Sequence, residues 1–217
     1  MAPSEGFVCW GAAGHALVLR EVLAERGADC VAYIDLAATA SRHEGRPLFS
    51  SVQLLAAWLR ERQPQIAMYG MLAIGRQGGH RMAALTALES IGLSCPVLVS
   101  AFARVSSSAC LGVATQVLPM GVVAARARLG RACIINHGAV VDHECVLGEG
   151  VHVAPRATLC GQVTVGDDVF VGAGAVVLPR LTLGVGAMIG AGAVVTRDVE
   201  PGTTVVGNPA RVLKEKK

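Results

Sequence analysis

The sequence predicts a mixed fold, a small N-terminal parallel α/β (Rossmann-like) domain followed by a β-solenoid. Two periodicities and a change of texture predict it. Seventeen positions spaced six residues apart, from Val99 to Val195, are all Val, Leu or Ile, with no insertion. Gly112, Gly130, Gly148, Gly166 and Gly184 recur every 18 residues, each directly after one of those apolar positions. Before residue 97 neither repeat is present, and short apolar runs alternate instead with segments of helical spacing.

A strict short period means that each repeat buries its apolar residue only by stacking on its neighbours. Six residues does not fit the 3.6-residue helical period, so helices cannot bring these side chains to one face. It does fit one side of a triangular coil with 18 residues per turn. Residues four after each apolar position, such as Ala127, Cys133, Ala139, Cys145, Ala157, Ala175, Ala187 and Ala193, are small and are expected to fill a narrow interior. The glycines spaced by 18 are expected at corners that need a positive φ.

In the first part, Phe7–Trp10 reads as a strand and Gly11–His15 as a turn. Ala16–Arg26 has helical spacing and closes at Gly27, and Cys30–Ile34 reads as a second strand ending at Asp35. Val52–Arg60 is a helix, Gln65–Tyr69 a third strand, and Arg76–Ile91 a helix closing at Gly92. Alternating strands and helices imply a parallel α/β unit. The expected division is 1–96 and 97–217, with Pro201–Leu213 capping the solenoid.

Composition narrows the function classes. A net charge of +3 is too small and dispersed to argue for nucleic acid. No apolar run reaches the roughly 18–20 residues that span a bilayer, and the start lacks a signal-peptide layout, so a cytoplasmic protein without membrane insertion is expected. Seven cysteines without a CxxC pair read as small buried hydrophobes, including Cys133, Cys145 and Cys160 inside the repeat, and not as disulfides or a metal site.

Three segments carry a family resemblance: Gly11-Ala12-Ala13-Gly14-His15-Ala16, Val141-Asp142-His143-Glu144-Cys145-Val146-Leu147-Gly148, and Val205-Val206-Gly207-Asn208-Pro209-Ala210. The chain resembles, over essentially its whole length, the hexapeptide-repeat sugar acetyltransferases that act on nucleotide-linked amino sugars, and their relatives that O-acetylate sialic acid. The resemblance implies a left-handed parallel β-helix, against the usual right-handed crossover. It also implies acetyl-CoA as co-substrate, no metal, and a homotrimer with active sites between adjacent solenoids. Ala13 stands where the family often has glycine, Ser100 where many members have His-Pro, and Tyr69-Gly70-Met71 is an unusual exit from the third strand, one that could alter the base or sugar bound.

Acetyl transfer from a thioester needs a base for the acceptor's proton and a donor for the oxyanion. His143 lies two after apolar Val141 and should point outward beside Glu144. Spacing alone leaves it a surface histidine; the resemblance implies that His143 is the general base and Glu144 its orienting partner. His137 is the fallback base. The resemblance also implies that His152 lies near the thioester and that the Gly161 N–H is the oxyanion donor. Acetyl-CoA is expected along Ala173, Gly174 and Ala191, with Pro209, Arg211 and Lys214 at its adenine and phosphate end, although the coils need small residues in any case.

The strand–turn–helix around Gly11 and Gly14 offers backbone N–H groups to a phosphate, and Asp35 either binds a ribose or base edge or caps a turn. His15 either touches the sugar or its diphosphate or is structural. The expected reaction is N-acetylation of a 4-amino-4,6-dideoxy sugar on a nucleotide carrier. The alternatives are O-acetylation of sialic acid or another sugar hydroxyl, a binding protein without catalysis, and a zinc enzyme like the γ-class carbonic anhydrases.

Overall fold

The computed structural model describes residues 5–36, 45–62, 67–75 and 79–213. Two compact units divide at Pro96 and Val97, apart from Gly79, which clusters with the second.

In the first unit, β1 (Glu5–Trp10), α1 (Gly14–Ala24), β2 (Asp29–Ile34), β3 (Leu48–Phe49), α2 (Val52–Arg62), β4 (Ala67–Leu72) and α3 (His80–Ser90) follow in order. The sheet is parallel with strand order β3-β2-β1-β4. Phe7, Val8 and Cys9 are fully buried, as expected of a central strand covered on both faces. The two-residue β3 is not visible in the sequence, because so short a strand shows no alternation. The helix expected over Arg76–Ile91 runs from His80, and residues 76–78 lie outside the described residues. Gly70 has a packing reason: a Cβ there would stand 2.6 Å from Cys95 Sγ and 2.9 Å from Leu88 Cδ1. Tyr69 packs its ring on Phe7 at 5.3 Å and Met71 is buried. This segment therefore packs against the core of the first unit.

The second unit is a three-sided parallel β-helix. Its first face carries strands at Leu98–Val99, Gln116–Val117, Ile134–Ile135, His152–Val153, Phe170–Val171 and Met188–Ile189, extended by Thr204–Val206. The second runs from Arg104–Val105 to Val194–Val195 and the third from Cys110–Leu111 to Thr182–Leu183. Successive strands pair 18 residues apart, as Val140 with Thr158 and Val141 with Leu159, until the last step, where Met188 pairs with Thr204. The solenoid core consists of the six-residue series together with Ala127, Cys133, Ala139, Cys145, Ala157, Ala175, Ala187 and Ala193, all fully buried in that second group. The first coil is the exception, with Val99 41% exposed and Val105 and Leu111 only partly buried, since it stacks on a neighbouring coil on one side alone. The repeat and its parallel sheets fit the left-handed β-helix that the resemblance implies. At the other end, Arg211–Val212 folds back antiparallel on Val205–Val206 and closes the stack.

The 18-residue glycines are needed for a different reason from the one expected. None of them has positive φ. A Cβ on Gly112 would stand 2.5 Å from the Gly130 carbonyl carbon, and one on Gly130 2.6 Å from that of Gly148. Close stacking of successive coils excludes the side chain. The left-handed conformation lies elsewhere: φ is positive every six residues from Ala114 to Gly192, and nine of those residues are not glycine, among them Arg126, Glu144 and Gln162. Cys133 and Cys145 are buried, whereas Cys160 is only half-buried at a corner, which corrects its assignment to the core.

Candidate active site

Residues 142–145 turn the corner between the second and third faces. Inward positions are taken by Val141 and Cys145, both fully buried, which leaves His143 and Glu144 directed to solvent at 52% and 42% side-chain exposure. The Asp142 carboxylate accepts the His143 backbone N–H at 2.6 Å and holds the turn. His143 Nδ1 lies 3.3 Å from Glu144 Oε2, so Nδ1–H donates to the carboxylate, and in the neutral ring the lone pair is on Nε2. Glu144 Oε2 also accepts from Gln162 Nε2 at 3.1 Å, and Gln162 Oε1 accepts from Arg180 Nε at 3.1 Å. Arg126 Nη1 faces Glu144 Oε1 at 3.9 Å. Arg126, Glu144, Gln162 and Arg180 are thus a ladder of residues 18 apart on one corner, all with positive φ. The Gln162 bond, then the His143 bond, holds the Glu144 carboxyl below its ordinary range.

Gly161 lies one coil beyond His143 in the same column. A Cβ on it would collide with His143 Nε2 and stand 2.6 Å from Cε1, so the imidazole occupies the space that glycine leaves. Among the described residues no acceptor takes the Gly161 N–H, while its carbonyl accepts from Arg180 N. Cys145 of the same motif is a core residue. Burial pushes its thiol up, and its Sγ donates to the Cys160 carbonyl at 3.2 Å, so it offers no nucleophile.

A second set of polar groups occupies the first face and the corner after it. His152 is 7% exposed, packs edge-on to Phe170 at 5.1 Å, and places Nε2 3.0 Å from Asn136 Nδ2. Asn136 Oδ1 accepts from both the backbone N–H and Nδ1 of His137, each at 2.9 Å. Because the amide nitrogen can only donate, His152 Nε2 is an acceptor; the amide oxygen makes His137 Nδ1 a donor. Ala173, Gly174 and Ala191 are exposed on the same corner as His137. The closing segment bounds a cavity of about 220 Å³ lined by Val195, Arg197, Glu200, Ala210, Arg211 and others. Pro209 is exposed beside it, and Lys214 lies outside the described residues.

In the first unit, Gly11 has φ +104° and a Cβ there would stand 2.7 Å from the Ala73 carbonyl oxygen. Asp35 follows β2, and its Oδ2 accepts the Ala12 N–H at 3.2 Å, which ties the turn to the strand end. Gly14 opens α1 without a close neighbour at its missing Cβ, and Ala13 supplies no side-chain cap. The N-cap of α1 therefore makes no side-chain hydrogen bond to the helix, while the Ala13 carbonyl accepts from Ala16 N at 3.0 Å.

Thus His143, Glu144 and Gly161 are brought together, whereas His152, Ala173 and Ala191 lie on a different face and corner of the coil. Gln162, Arg180 and Asn136 escaped the sequence reading. The signal for the first two was their 18-residue spacing from Glu144.

The model of the bacterial transferase hexapeptide (six repeats) matches residues 162–197. Among solved structures, the chain is 33% identical to the acetyltransferase domain of PglB from Neisseria gonorrhoeae in complex with acetyl coenzyme A. That match covers 96% of this chain and 98% of the other, with a TM-score of 0.83. It is also 33% identical to perosamine N-acetyltransferase from Caulobacter crescentus in complex with CoA and GDP-perosamine, over 97% of each chain, with a TM-score of 0.87. The chain belongs to the hexapeptide-repeat sugar acetyltransferases. WeeI from Acinetobacter baumannii is similar at 26% identity, 96% and 100% coverage, and a TM-score of 0.81. No curated protein matches. This acetyltransferase has no described helix long and apolar enough to cross a membrane. Among its described residues no three His, Cys, Asp or Glu side chains converge as a metal site.

Proposed function

We propose that this acetyltransferase transfers acetyl from acetyl-CoA to the 4-amino group of a nucleotide-linked amino-dideoxy sugar, with His143 as general base. The observation that carries the reading is the exposed His143 imidazole, bonded through Nδ1 to Glu144 and seated over the bare Cα of Gly161. It agrees with the ligands of the two relatives, acetyl coenzyme A in one and CoA with GDP-perosamine in the other.

Acetyl-CoA supplies the acetyl group as an activated thioester. The exposed small residues Ala173, Gly174 and Ala191 would let an extended chain approach the backbone, with Pro209, Arg211 and Lys214 towards its nucleotide end, and with His152 near the acetyl group. His143 Nε2 takes the proton that the acceptor nitrogen sheds as it forms its new bond to carbon. Glu144 holds the tautomer that leaves Nε2 basic and stabilises the imidazolium that results. The Gly161 N–H donates to the oxygen on which negative charge grows. His143 then returns the proton to the departing sulfur, so the base is restored at each turnover.

Gly11, Gly14, His15 and Asp35 would hold the nucleotide-linked end of the acceptor, through the uncapped N-terminus of α1 and the carboxylate tied to the turn. Self-association has an observation in its favour: Val122, Val140, Thr158, Val176 and Val194 point outward from the second face as a half-buried, mostly apolar column. A homotrimer packed through this column would bring His143 of one chain to the first-face groups of the next. Sedimentation at three times 22.3 kDa would support it.

The deciding experiment measures thiol release from acetyl-CoA against UDP-, GDP- and dTDP-linked 4-amino sugars and free sialic acid, with His143→Ala beside the wild type. Turnover of one amino sugar that the variant loses supports the reading. Turnover of sialic acid alone replaces it with O-acetylation, and silence across the panel refutes it.

A further inference from the structure

We propose that Arg126 and Arg128 form a phosphate subsite on the third face, adjoining the His143 corner; the proposal rests on the reading above. A groove of about 380 Å³ there is lined by Ser108, Cys110, Arg126, Arg128, Glu144 and Val146. Its floor is set by the lattice. Cys110, Arg128 and Val146 are the outward residues of three successive paired strands, and Ser108, Arg126 and Glu144 are the corner residues beside them. Ala127 between the two arginines is buried in the core, so both guanidinium stems leave the same edge of one coil.

The charge in this groove is poorly compensated. Arg126 is 78% exposed, and among the described residues its one ion-pair contact is the 3.9 Å approach to Glu144 Oε1. Glu144 directs its other oxygen to Gln162 and His143. Among the described residues no carboxylate reaches Arg128 within ion-pair distance. Its neighbours across the ladder are Cys110 and Val146, neither of which carries charge. Two arginines lining one groove suit an anion that each guanidinium can bind through two N–H donors, as a phosphate can be bound. Both substrates of the proposed reaction carry more than one phosphate, and the groove takes one that the α1 turn and the closing segment leave unbound. Its edge at Glu144 places it beside the base, where it would fix the orientation of the substrate that it holds.

The test compares wild type with Arg128→Ala and Arg128→Lys, since Arg126 touches Glu144 and its loss would disturb the base as well. Each variant is assayed for KM of the nucleotide-linked acceptor and KM of acetyl-CoA, and for binding of inorganic pyrophosphate by calorimetry. About a tenfold rise in acceptor KM, with weakened pyrophosphate binding and unchanged acetyl-CoA KM, assigns the groove to the acceptor. The same rise on acetyl-CoA alone assigns it to the thioester's carrier. Lysine should restore part of the loss, because it keeps the charge without the fork. Both KM values and pyrophosphate binding within twofold of wild type overturn the subsite. Failure of the functional reading is separable: wild type would then turn over none of the nucleotide-linked sugars, while pyrophosphate binding to wild type and variant would still judge the groove.

Discussion

Replacing Gly161 with alanine adds one methyl group at a position where the geometry leaves no room for it. The new Cβ would collide with His143 Nε2 and stand 2.6 Å from Cε1 and 3.1 Å from Cδ2. Carbon atoms in contact settle near 3.5 Å, so the ring must retreat by roughly 0.9 Å or rotate away from Glu144. Gly161 does not have positive φ, so alanine brings no backbone strain. The imidazole is half exposed and swings into water, and the overpacking cost of about 1–3 kcal/mol for a closed core is largely avoided. Stability should therefore barely change. Activity should not survive as well, because misplacing a reacting group by about 1 Å costs on the order of 10²-fold.

The assay is kcat/KM by thiol release, with the urea midpoint as the folding control. Gly161→Ala should lose about 100-fold in kcat/KM with an unchanged midpoint. In a His143→Ala background the same methyl group should cost little more, because the ring that it displaces is gone. Activity within threefold of wild type would refute the reasoning, since the base could not then act from its seat over Gly161. An equal loss in the His143→Ala background would reassign the effect to Gly161 alone.

Three further outcomes follow from particular contacts. Gln162→Leu removes the first cause of the lowered Glu144 carboxyl, so its titration should rise towards the ordinary value of about 4.3, read by carboxyl ¹³C shifts. In the wild type the carboxylate keeps its bond to His143 below that ordinary value and loses it only as pH falls through the lowered one; an unmoved titration in the variant would contradict this. Leu159→Ala, fully buried between Val141 and Val177, should cost about 2–5 kcal/mol in urea unfolding, and a loss below about 1 kcal/mol would show that the coils collapse around the gap. Asp35→Ala should raise acceptor KM about tenfold through the loss of its charge-assisted bond to Ala12, with acetyl-CoA KM unchanged; an effect on acetyl-CoA would remove Asp35 from the acceptor site.

The solenoid was legible because its constraint is one-dimensional: Val141 must stack on Val123 and Leu159, and a single slipped residue would break the series. The reason for its glycines was not. A glycine spaced by 18 looks the same whether φ or a neighbouring backbone demands it, and only the 2.5 Å approach of Gly130 to a Cβ on Gly112 decides between them. The corner residues with positive φ were hidden for the opposite reason, since Met120, Arg126 and Glu144 bear no mark of it in their identity. Partners one coil apart, such as Glu144 and Gln162, were in principle readable once the period was known. Asn136 with His152 was harder, because they sit 16 residues apart and meet through side-chain reach, not register.

That lattice bears on how the site should be understood. The positive φ of Glu144 would elsewhere suggest a strained catalytic residue. Here the same conformation recurs every six residues from Ala114 to Gly192, so it belongs to the coil and says nothing about chemistry. What sets the corner apart is the pair of residues stacked in one column. Ala125, His143, Gly161 and Pro179 follow one another at 18-residue steps, and only Gly161 has no side chain. The histidine therefore has a vacant site directly beyond it, which its own ring fills, while the ladder of Arg126, Glu144 and Gln162 fixes the ring's other nitrogen. An ordinary coil becomes a candidate base through one added imidazole and one omitted methyl group, and neither substitution disturbs the core that holds them.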